Sequence, residues 1–363
     1  MDLRATLDGA VVMAPMTKGS NVPYRRLCDE LGATITMGEM ALARNLLQGR
    51  RGEFALLVRG KDERVFGVQL AGFNPTQMAE AAKIAEQKGA DLVDVNCGCP
   101  IDLFTRKGLG SALLRRPRKI AEIVRAMAAA VKIPVTVKIR LGWDEDDLNY
   151  LEVARLAVDA GAQAVVVHGR TRTQRYRKNA DWDRISEVAR ALAPIPVVGN
   201  GDVLFPHEIA AFRAQAGCAG VMTARGCLIK PWIFREAKTG VAEDPTPEER
   251  LALYGRYVAL AREHWRDDER GRARIREFLL WHLGWWCRHV PRRPDGTWPR
   301  MQEREERFTP RSELEALLSR NDDAAKAWVA ALLLDGEAAA GPPPPPPAPA
   351  EPGAETREPM PEG

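Results

Sequence analysis

The feature that most constrains this 363-residue chain is an alternation of short apolar runs with helical patterns between residues 10 and 223. The apolar runs fall at 10–13, 34–37, 65–70, 92–95, 135–139, 164–167, 196–198 and 219–222. Most are continuous Val, Ile and Leu, as expected of parallel strands covered on both sides. Helical spacing occupies 21–31, 75–88, 117–131, 148–160, 182–192 and 206–215. Eight strands alternating with helices over roughly 200 residues is the count and size of a (β/α)8 TIM barrel. A doubly wound open sheet is the alternative, and the regular eightfold count weighs against it.

After Gly226 the strand pattern stops. Residues 230–238 read as a capping helix. Asp244-Pro245-Thr246-Pro247 marks a boundary, with Thr246 as N-cap and Pro247 at the first helical position. Helices are predicted over 247–265, 271–289 and 309–334, the last broken near Asn321. The predicted organisation is a barrel over 1–240, a small all-α bundle over 241–335 and a tail over 336–363. The tail holds six consecutive prolines, 342–347, and is expected to be disordered or polyproline II.

A chain that is 45% hydrophobic and 28% charged is an ordinary soluble globular protein. Its net charge of +4 permits a nucleic-acid partner without requiring one. The cysteines, at 28, 97, 99, 218, 227 and 287, form no CxxC pair, so no zinc site is expected. Reduced thiols in a cytoplasm fit this usage. The N-terminus is expected to run into the first strand without an apolar leader, and no apolar run approaches the roughly 20 residues of a membrane helix.

In a barrel the C-terminal ends of the strands share one face. Reading that position along the chain gives Pro15, Met16 and Thr17, then Glu39, Gln69, Asn96 and Cys99, Lys138 and Arg140, His168 and Arg170, Asn200 with Gly201 and Asp202, and Ala224 with Arg225. One polar residue at a strand end is bland, but a convergent set is a site. Cys99, followed by Pro100, presents a thiol on a rigid mouth loop as nucleophile or proton donor. The competing reading is that Cys97 and Cys99 pack as small hydrophobes. The glycines after the seventh and eighth strands, with Arg225, suit a phosphate and point to a phosphorylated cofactor such as FMN. Lys138 is the natural cation for an anionic reduced flavin. The glycines of Lys107-Gly108-Leu109-Gly110-Ser111 read as a source of mobility rather than a phosphate cradle.

Seven stretches together resemble the dihydrouridine synthases. They are Ala14-Pro15-Met16, Asn96-Cys97-Gly98-Cys99-Pro100, Lys107 to Leu113, Lys138-Ile139-Arg140, His168 to Tyr176, Gly199-Asn200-Gly201-Asp202 and Ala224-Arg225-Gly226. Gly38-Glu39-Met40-Ala41, Pro100-Ile101-Asp102-Leu103 and Ile229 to Phe234 look most like the branch named for tRNA position 47. Cys97 inside the motif and Leu109 in a loop that is often all glycine depart from the family pattern. The resemblance implies FMN-dependent reduction of a uracil C5–C6 double bond in tRNA, with NADPH as reductant. It makes Cys99 the general acid at C5. Pro15, Met16, Thr17, Gln69, Lys138, His168, Asn200, Gly201, Asp202, Ala224 and Arg225 are implied to bind FMN. Asn96, Arg140, His168 and Arg170 are implied to hold the flipped-out uracil, with the loop around Lys107 closing over it.

The family also gives the bundle a role. Arg270, Arg272, Arg274, Arg276, Arg288, Arg292 and Arg293 are expected to contact RNA, with Trp281, Trp285 and Trp286 as bundle core. A monomer is expected. The alternatives are an FMN barrel oxidoreductase acting on a free pyrimidine and a non-catalytic RNA-binding protein. The Arg-rich bundle weighs against the first, and the presence of Cys99 and Lys138 against the second.

Overall fold

The computed structural model describes residues 1–301 and 308–347. The chain divides into two compact units, one made of Met1–Cys227 and Pro231–Ala242, the other of Leu228–Lys230 and the residues from Glu243 onward.

The first unit is a closed parallel barrel. Its strands are β1 (Val11–Met13), β2 (Ile35–Met37), β3 (Ala41–Leu42), β4 (Phe66–Ala71), β5 (Leu92–Cys97), β6 (Val135–Arg140), β7 (Ala164–His168), β8 (Val197–Asn200) and β9 (Gly220–Thr223). The ladder runs β2-β1-β9-β8-β7-β6-β5-β4 and closes where β2 meets β4. The ring therefore has eight members, and β3 is a continuation of β2 along the same edge of β4. Met37 of β2 lies opposite Gly67 of β4, and Ala41 of β3 lies opposite Leu70. The ladder is interrupted at 38–40, which puts Glu39 at the break. A two-residue strand has no period to detect, so β3 is not legible as a strand in the sequence.

Two other expectations need correction. The chain does not run straight into β1. A helix, Leu3–Leu7, precedes it, capped by the Asp2 carboxylate accepting from the Ala5 N–H at 3.1 Å. The fourth predicted strand, ending at Val95, extends to Cys97, so Asn96 belongs to the rigid ladder and pairs with Lys138. The outer helices bury one stripe each. In Pro117–Ala130, Ile120, Ile123, Val124 and Met127 recur at helical spacing and are buried.

Parallel register sorts the polar side chains into levels. Gln69, Asp94 and Thr136 are opposite one another on β4, β5 and β6. Asn96 lies opposite Lys138 one level on. Arg140, His168, Asn200 and Met222 follow around β6 to β9 at the end of the ladder. Residues opposite each other share a face, so strand ends distant in sequence converge.

Below the loop after β1 lies a buried ion pair. Arg25 Nε donates to Glu63 Oε1 at 2.7 Å, and both side chains are essentially inaccessible. Arg25 also donates to the Ser20 and Val58 carbonyls, and Thr36 Oγ1 donates to the same Glu63 oxygen.

The second unit is helical. Thr246 and Glu249 form a reciprocal capping box on Pro247–Trp265. Glu269–Trp286, Glu313–Leu318 and Asp323–Asp335 are capped by Asp268, Ser312 and Asp322. Trp285 and Trp286 are buried and Trp281 half-buried. Buried Arg250 donates to the Trp286 carbonyl at 3.1 Å. Part of the tail expected to be disordered is ordered. Residues 337–340 form a helical turn, and Trp328 Nε1 donates to the Gly341 carbonyl at its end. Arg320 donates to the Pro344 and Pro345 carbonyls. The tail from 348 on lies outside the described residues. Among the described residues no helix is long and apolar enough to cross a membrane.

Removing one member of a buried ion pair strands the other. Glu63→Ala is expected to cost about 3–5 kcal/mol in urea unfolding. A loss below about 1 kcal/mol, the range of exposed pairs, would contradict the role given to this pair.

Candidate active site

Cys99 is held by its backbone from two directions. The Asn96 side-chain oxygen accepts from the Cys99 N–H at 3.0 Å and from the Gly98 N–H at 3.3 Å. On the other side the Cys99 carbonyl accepts from the Ser111 N–H at 3.0 Å and from its hydroxyl at 2.9 Å. Gly110 sits between them at φ +61°, where a Cβ would fall 2.7 Å from the Cys99 carbonyl oxygen. The expectation that these glycines supply mobility therefore fails at Gly110, which close packing on Cys99 requires.

The two cysteines of the motif part company. Cys97 is fully buried, and burial followed by the nearby Asp94 charge pushes its thiol up. It packs as a small hydrophobe. Cys99 is half-buried. Burial pushes its thiol up as well, although the Ile101 N–H, Arg140 and Lys138 pull the other way. A thiol so placed keeps its proton at neutral pH, which suits a donor rather than a thiolate nucleophile.

Lys138 donates to the Asn200 side-chain oxygen at 3.0 Å, and Asn200 donates to the Met222 carbonyl at 2.8 Å. Burial, then Arg140, brings the Lys138 amine down to about 7, against the opposing pull of Asp94 and Cys99. His168 is buried, and desolvation first, then Arg140, Lys138, Arg170 and Arg225, drive it well below its ordinary value. The imidazole is neutral. Arg170 Nη1 lies 3.3 Å from His168 Nε2, and a guanidinium can only donate, so the imidazole proton is on Nδ1.

Two predicted substrate residues have most of their donors engaged within the protein. Arg140 Nε donates to the Gly98 carbonyl at 2.8 Å, and Nη1 to the Thr171 and Arg175 carbonyls at 3.0 and 3.3 Å. It ties the Cys99 turn to the loop after β7. Burial lowers it to about 10, still charged at neutral pH. Arg170 is fully inaccessible, donates to the Lys178 carbonyl at 2.6 Å and makes a 2.7 Å pair of bonds to both Asp202 oxygens. Its geometry is that of a strut beneath His168.

Asp202, predicted at the cofactor, has its carboxylate turned to the protein. Besides Arg170 it accepts from Arg225 at 2.9 Å and from the Ala180 N–H at 2.7 Å. Arg225 also lies over the Tyr176 ring at 4.4 Å. Gly201 has φ +135°, and a Cβ there would fall 2.4 Å from Ala180 Cβ. Ala224 leads directly into the short helix Arg225–Ile229. In the loop after β1, Pro15 is half-buried, Met16 buried and Thr17 exposed. Ser20 Oγ fixes this loop by accepting from the Met16 N–H and donating to the Ala14 carbonyl. Glu39, from the break between β2 and β3, accepts from the Lys18 N–H at 3.0 Å, and burial raises its carboxyl.

Gln69 lies one level deeper, with both amide ends engaged. Lys107 is exposed on the turn after the one-turn helix Asp102–Thr105 and is not brought together with the others. Residues that sequence reasoning passed over include Ser111, Thr136 and Asp102. Asp102 pairs with Arg172 and, at 3.7 Å, with Arg175. Among the described residues no group of three or more His, Cys, Asp or Glu is placed to hold a metal.

This is the mouth of a parallel barrel that brings together a half-buried amine, buried guanidinium groups, a neutral imidazole and a protonated thiol. Residues 12–319 match the family described as Dihydrouridine synthase (Dus). The chain is 41% identical over 333 residues to the human protein named "tRNA-dihydrouridine(47) synthase [NAD(P)(+)]-like", covering 90% of this chain and 50% of that protein. The rice protein of the same name is 41% identical over 323 residues, covering 87% and 47%. Among solved structures, a 2-naphthoyl-CoA reductase complex aligns with a TM-score of 0.53 at 12% identity, over 64% of this chain and 50% of that one. The 6-hydroxypseudooxynicotine amine oxidase of Pseudomonas geniculata N1 aligns with a TM-score of 0.50 at 15% identity, over 63% and 47%. These two likenesses concern the fold alone. The chain belongs to the dihydrouridine synthase family. It spans about half the length of the curated relatives it matches.

An amine at about 7, against its ordinary 10.5, penalises the folded state fully below pH 7, and the penalty is relieved as pH climbs from 7 to 10.5. Lys138→Met removes that penalty. In ligand-free protein its unfolding free energy relative to the parent is expected to be highest at pH 7 and to decline toward pH 10.5. A difference that stays flat across that window, measured by urea denaturation, would show that the amine is not desolvated.

Proposed function

We propose that this chain reduces a specific uridine of tRNA to 5,6-dihydrouridine. The observation that carries the reading is Cys99: a protonated thiol, fixed by Asn96 and Ser111, beside a mouth that holds buried Arg140 and half-buried Lys138. Saturating the uracil C5–C6 bond requires a hydride at C6 and a proton at C5. FMN held at this mouth would supply the hydride, with a nicotinamide, which we take to be NADPH, as the source of its electrons; the relatives' names carry NAD(P)(+).

The residues present fit such a cofactor. A half-buried amine held by Asn200 suits the electron-rich edge of a reduced flavin, whose negative charge would favour the ammonium form of Lys138. Gln69 and neutral His168 offer hydrogen-bonding groups to a polar ring. Arg225, with the backbone of Asn200, Gly201, Asp202 and Ala224, suits a phosphate. Pro15, Met16 and Thr17, in the loop that Ser20 fixes, would contribute further contacts to the cofactor.

Cys99 donates its proton to C5. Asn96 and His168 offer hydrogen bonds to the uracil edge. Arg140 and Arg170 act mainly by holding the Cys99 turn and the His168 ring. Lys107, exposed on its turn, contacts the RNA outside the pocket. A base inside folded tRNA must leave its stack, at a few kcal/mol, to reach a thiol set in a barrel mouth. The arginines of the second unit contribute to RNA binding, with Arg272 and Arg276 also paired to Asp335. The relatives' names point to uridine 47 as the target.

Cys99→Ala is expected to retain flavin and tRNA binding while dihydrouridine formation falls at least a hundredfold. Undiminished product would remove Cys99 from the role of acid. Dihydrouridine is to be mapped in tRNA from cells lacking the gene, with and without complementation. Loss and rescue at uridine 47 supports the whole reading. Loss elsewhere keeps the chemistry and discards the position. Unchanged tRNA, with turnover of a free pyrimidine, replaces the substrate.

A further inference from the structure

Beneath Cys99 a buried carboxylate stands at the end of a chain of hydrogen bonds. Asp94 is 2% exposed. Thr136 Oγ1 donates to one of its oxygens at 2.6 Å, and Gln69 Nε2 donates to the other at 2.8 Å. Gln69 Oε1 accepts from Asn96 Nδ2 at 2.7 Å. Asn96 Oδ1 then accepts from the Cys99 and Gly98 N–H groups.

Every donor in this relay points the same way, from Cys99 toward Asp94, and chemistry enforces that direction from both ends. The backbone N–H groups of Gly98 and Cys99 need an acceptor, so Asn96 must present its oxygen to them. Its NH2 then faces Gln69, which must present oxygen in turn. The Gln69 NH2 is left facing position 94, where only an acceptor satisfies it. An ionised carboxylate is acceptor-only and meets that need without ambiguity. Burial raises the Asp94 carboxyl to about 6, with Thr136, Gln69 and Lys138 opposing, so it is mostly ionised at neutral pH. Burying a carboxylate is costly unless hydrogen bonds compensate it, and here Thr136 and Gln69 do so, one at each oxygen.

We propose that Asp94 is a positioning residue for the reaction: it sets the direction of the Gln69–Asn96 amide relay and so fixes the turn that presents the Cys99 thiol. The inference rests on the role proposed above for Cys99. Its consequence for the turn does not depend on turnover.

Three variants and a chemical probe test it. Cys99 is half-buried while the other five cysteines are buried, so iodoacetamide alkylation followed by mass spectrometry reads Cys99 selectively. Asp94→Asn can still turn an oxygen toward Gln69, with its NH2 meeting the Thr136 hydroxyl, so Cys99 alkylation is expected within threefold of wild type. Asp94→Leu keeps the branching and heavy-atom count of the side chain but removes the acceptor. The relay loses its direction, the turn loosens, and alkylation is expected to rise at least tenfold. Thr136→Val removes the carboxylate's other partner without touching the relay and is expected to stay within threefold. In anaerobic single turnovers of flavin-loaded protein with tRNA, Asp94→Leu is expected to lower the rate at saturating tRNA, leaving the tRNA concentration dependence within threefold.

Asp94→Leu indistinguishable from wild type in alkylation would overturn the relay and leave only packing. Asp94→Asn as perturbed as Asp94→Leu would overturn it in favour of charge. If Asp94→Leu yields no folded protein, Asp94→Asn decides alone: alkylation within threefold supports the relay, and a larger change overturns it. A wild-type protein that alkylates as expected but reduces no tRNA uridine would refute the proposed function while leaving the relay standing.

Discussion

The mouth of the barrel depends on one carboxylate. Four cations, Lys138, Arg140, Arg170 and Arg225, lie close enough to act together on His168. Like charges gathered away from bulk water repel and lose hydration, and such a cluster needs a counter-charge with full hydrogen bonding. Asp202 supplies it. Its two oxygens take both Arg170 bonds, one from Arg225 and one from the Ala180 N–H, which joins the loop after β7 to the ends of β8 and β9. With Arg170 so fixed, its Nη1 meets His168 Nε2 and sets the tautomer. The imidazole can then act as a neutral hydrogen-bonding group with a defined donor end. Lys138 and Arg140, which Asp202 does not touch, keep a surplus of positive charge where an anionic cofactor is expected.

The same surroundings decide what the thiol can do. Arg140 and Lys138 favour a thiolate, as a nucleophilic cysteine requires. Burial opposes them and prevails at Cys99. Desolvation also prevails at Lys138, but with the opposite sign, because an amine is charged when protonated and a thiol when deprotonated. One dry environment therefore yields a proton-bearing acid and an amine poised near neutrality. Proton donation to a carbon needs the first, and an amine near neutrality takes up a proton when an anionic ring, such as the reduced flavin proposed above, binds beside it.

Much of this is legible in the sequence because barrel strands carry near-continuous apolar runs and the ladder brings their ends together. The eight members of the ring, the convergence of Lys138, His168 and Asn200, and the break near Asn321 in the helical unit follow from period and punctuation. The roles of Arg140, Arg170 and Asp202 do not follow. Each sits at a strand end, where sequence pattern predicts a ligand, but its direction is set by partners 31, 32 and 22 residues away. Local spacing contains no signal for such bonds. Asp94 is hidden for the opposite reason: a lone carboxylate inside an apolar strand has no motif of its own, and its partners Gln69 and Thr136 lie on neighbouring strands. Gly110 is misread from sequence because glycine serves both freedom and close approach, and only the carbonyl it packs against tells them apart.

The division between fixed and exposed groups also has a physical logic. Extruding a base from its stack costs a few kcal/mol, and a groove that must also order itself loses further rotamer and loop entropy on binding. Groups that touch the reacting ring gain from being placed beforehand. Asn96, Lys138 and Asn200 are strand residues with partners already made, and the Cys99 turn is bonded on both sides. Exposed Lys107 lies beyond the ladder, on a turn where ordering is cheap to postpone. A charge there acts on a phosphate backbone at longer range and needs no fixed geometry. On the proposed function, rigid hydrogen-bonding groups at the strand ends and an exposed cation outside them would answer two different demands, recognition of a ring and attraction of a polyanion, with one barrel mouth.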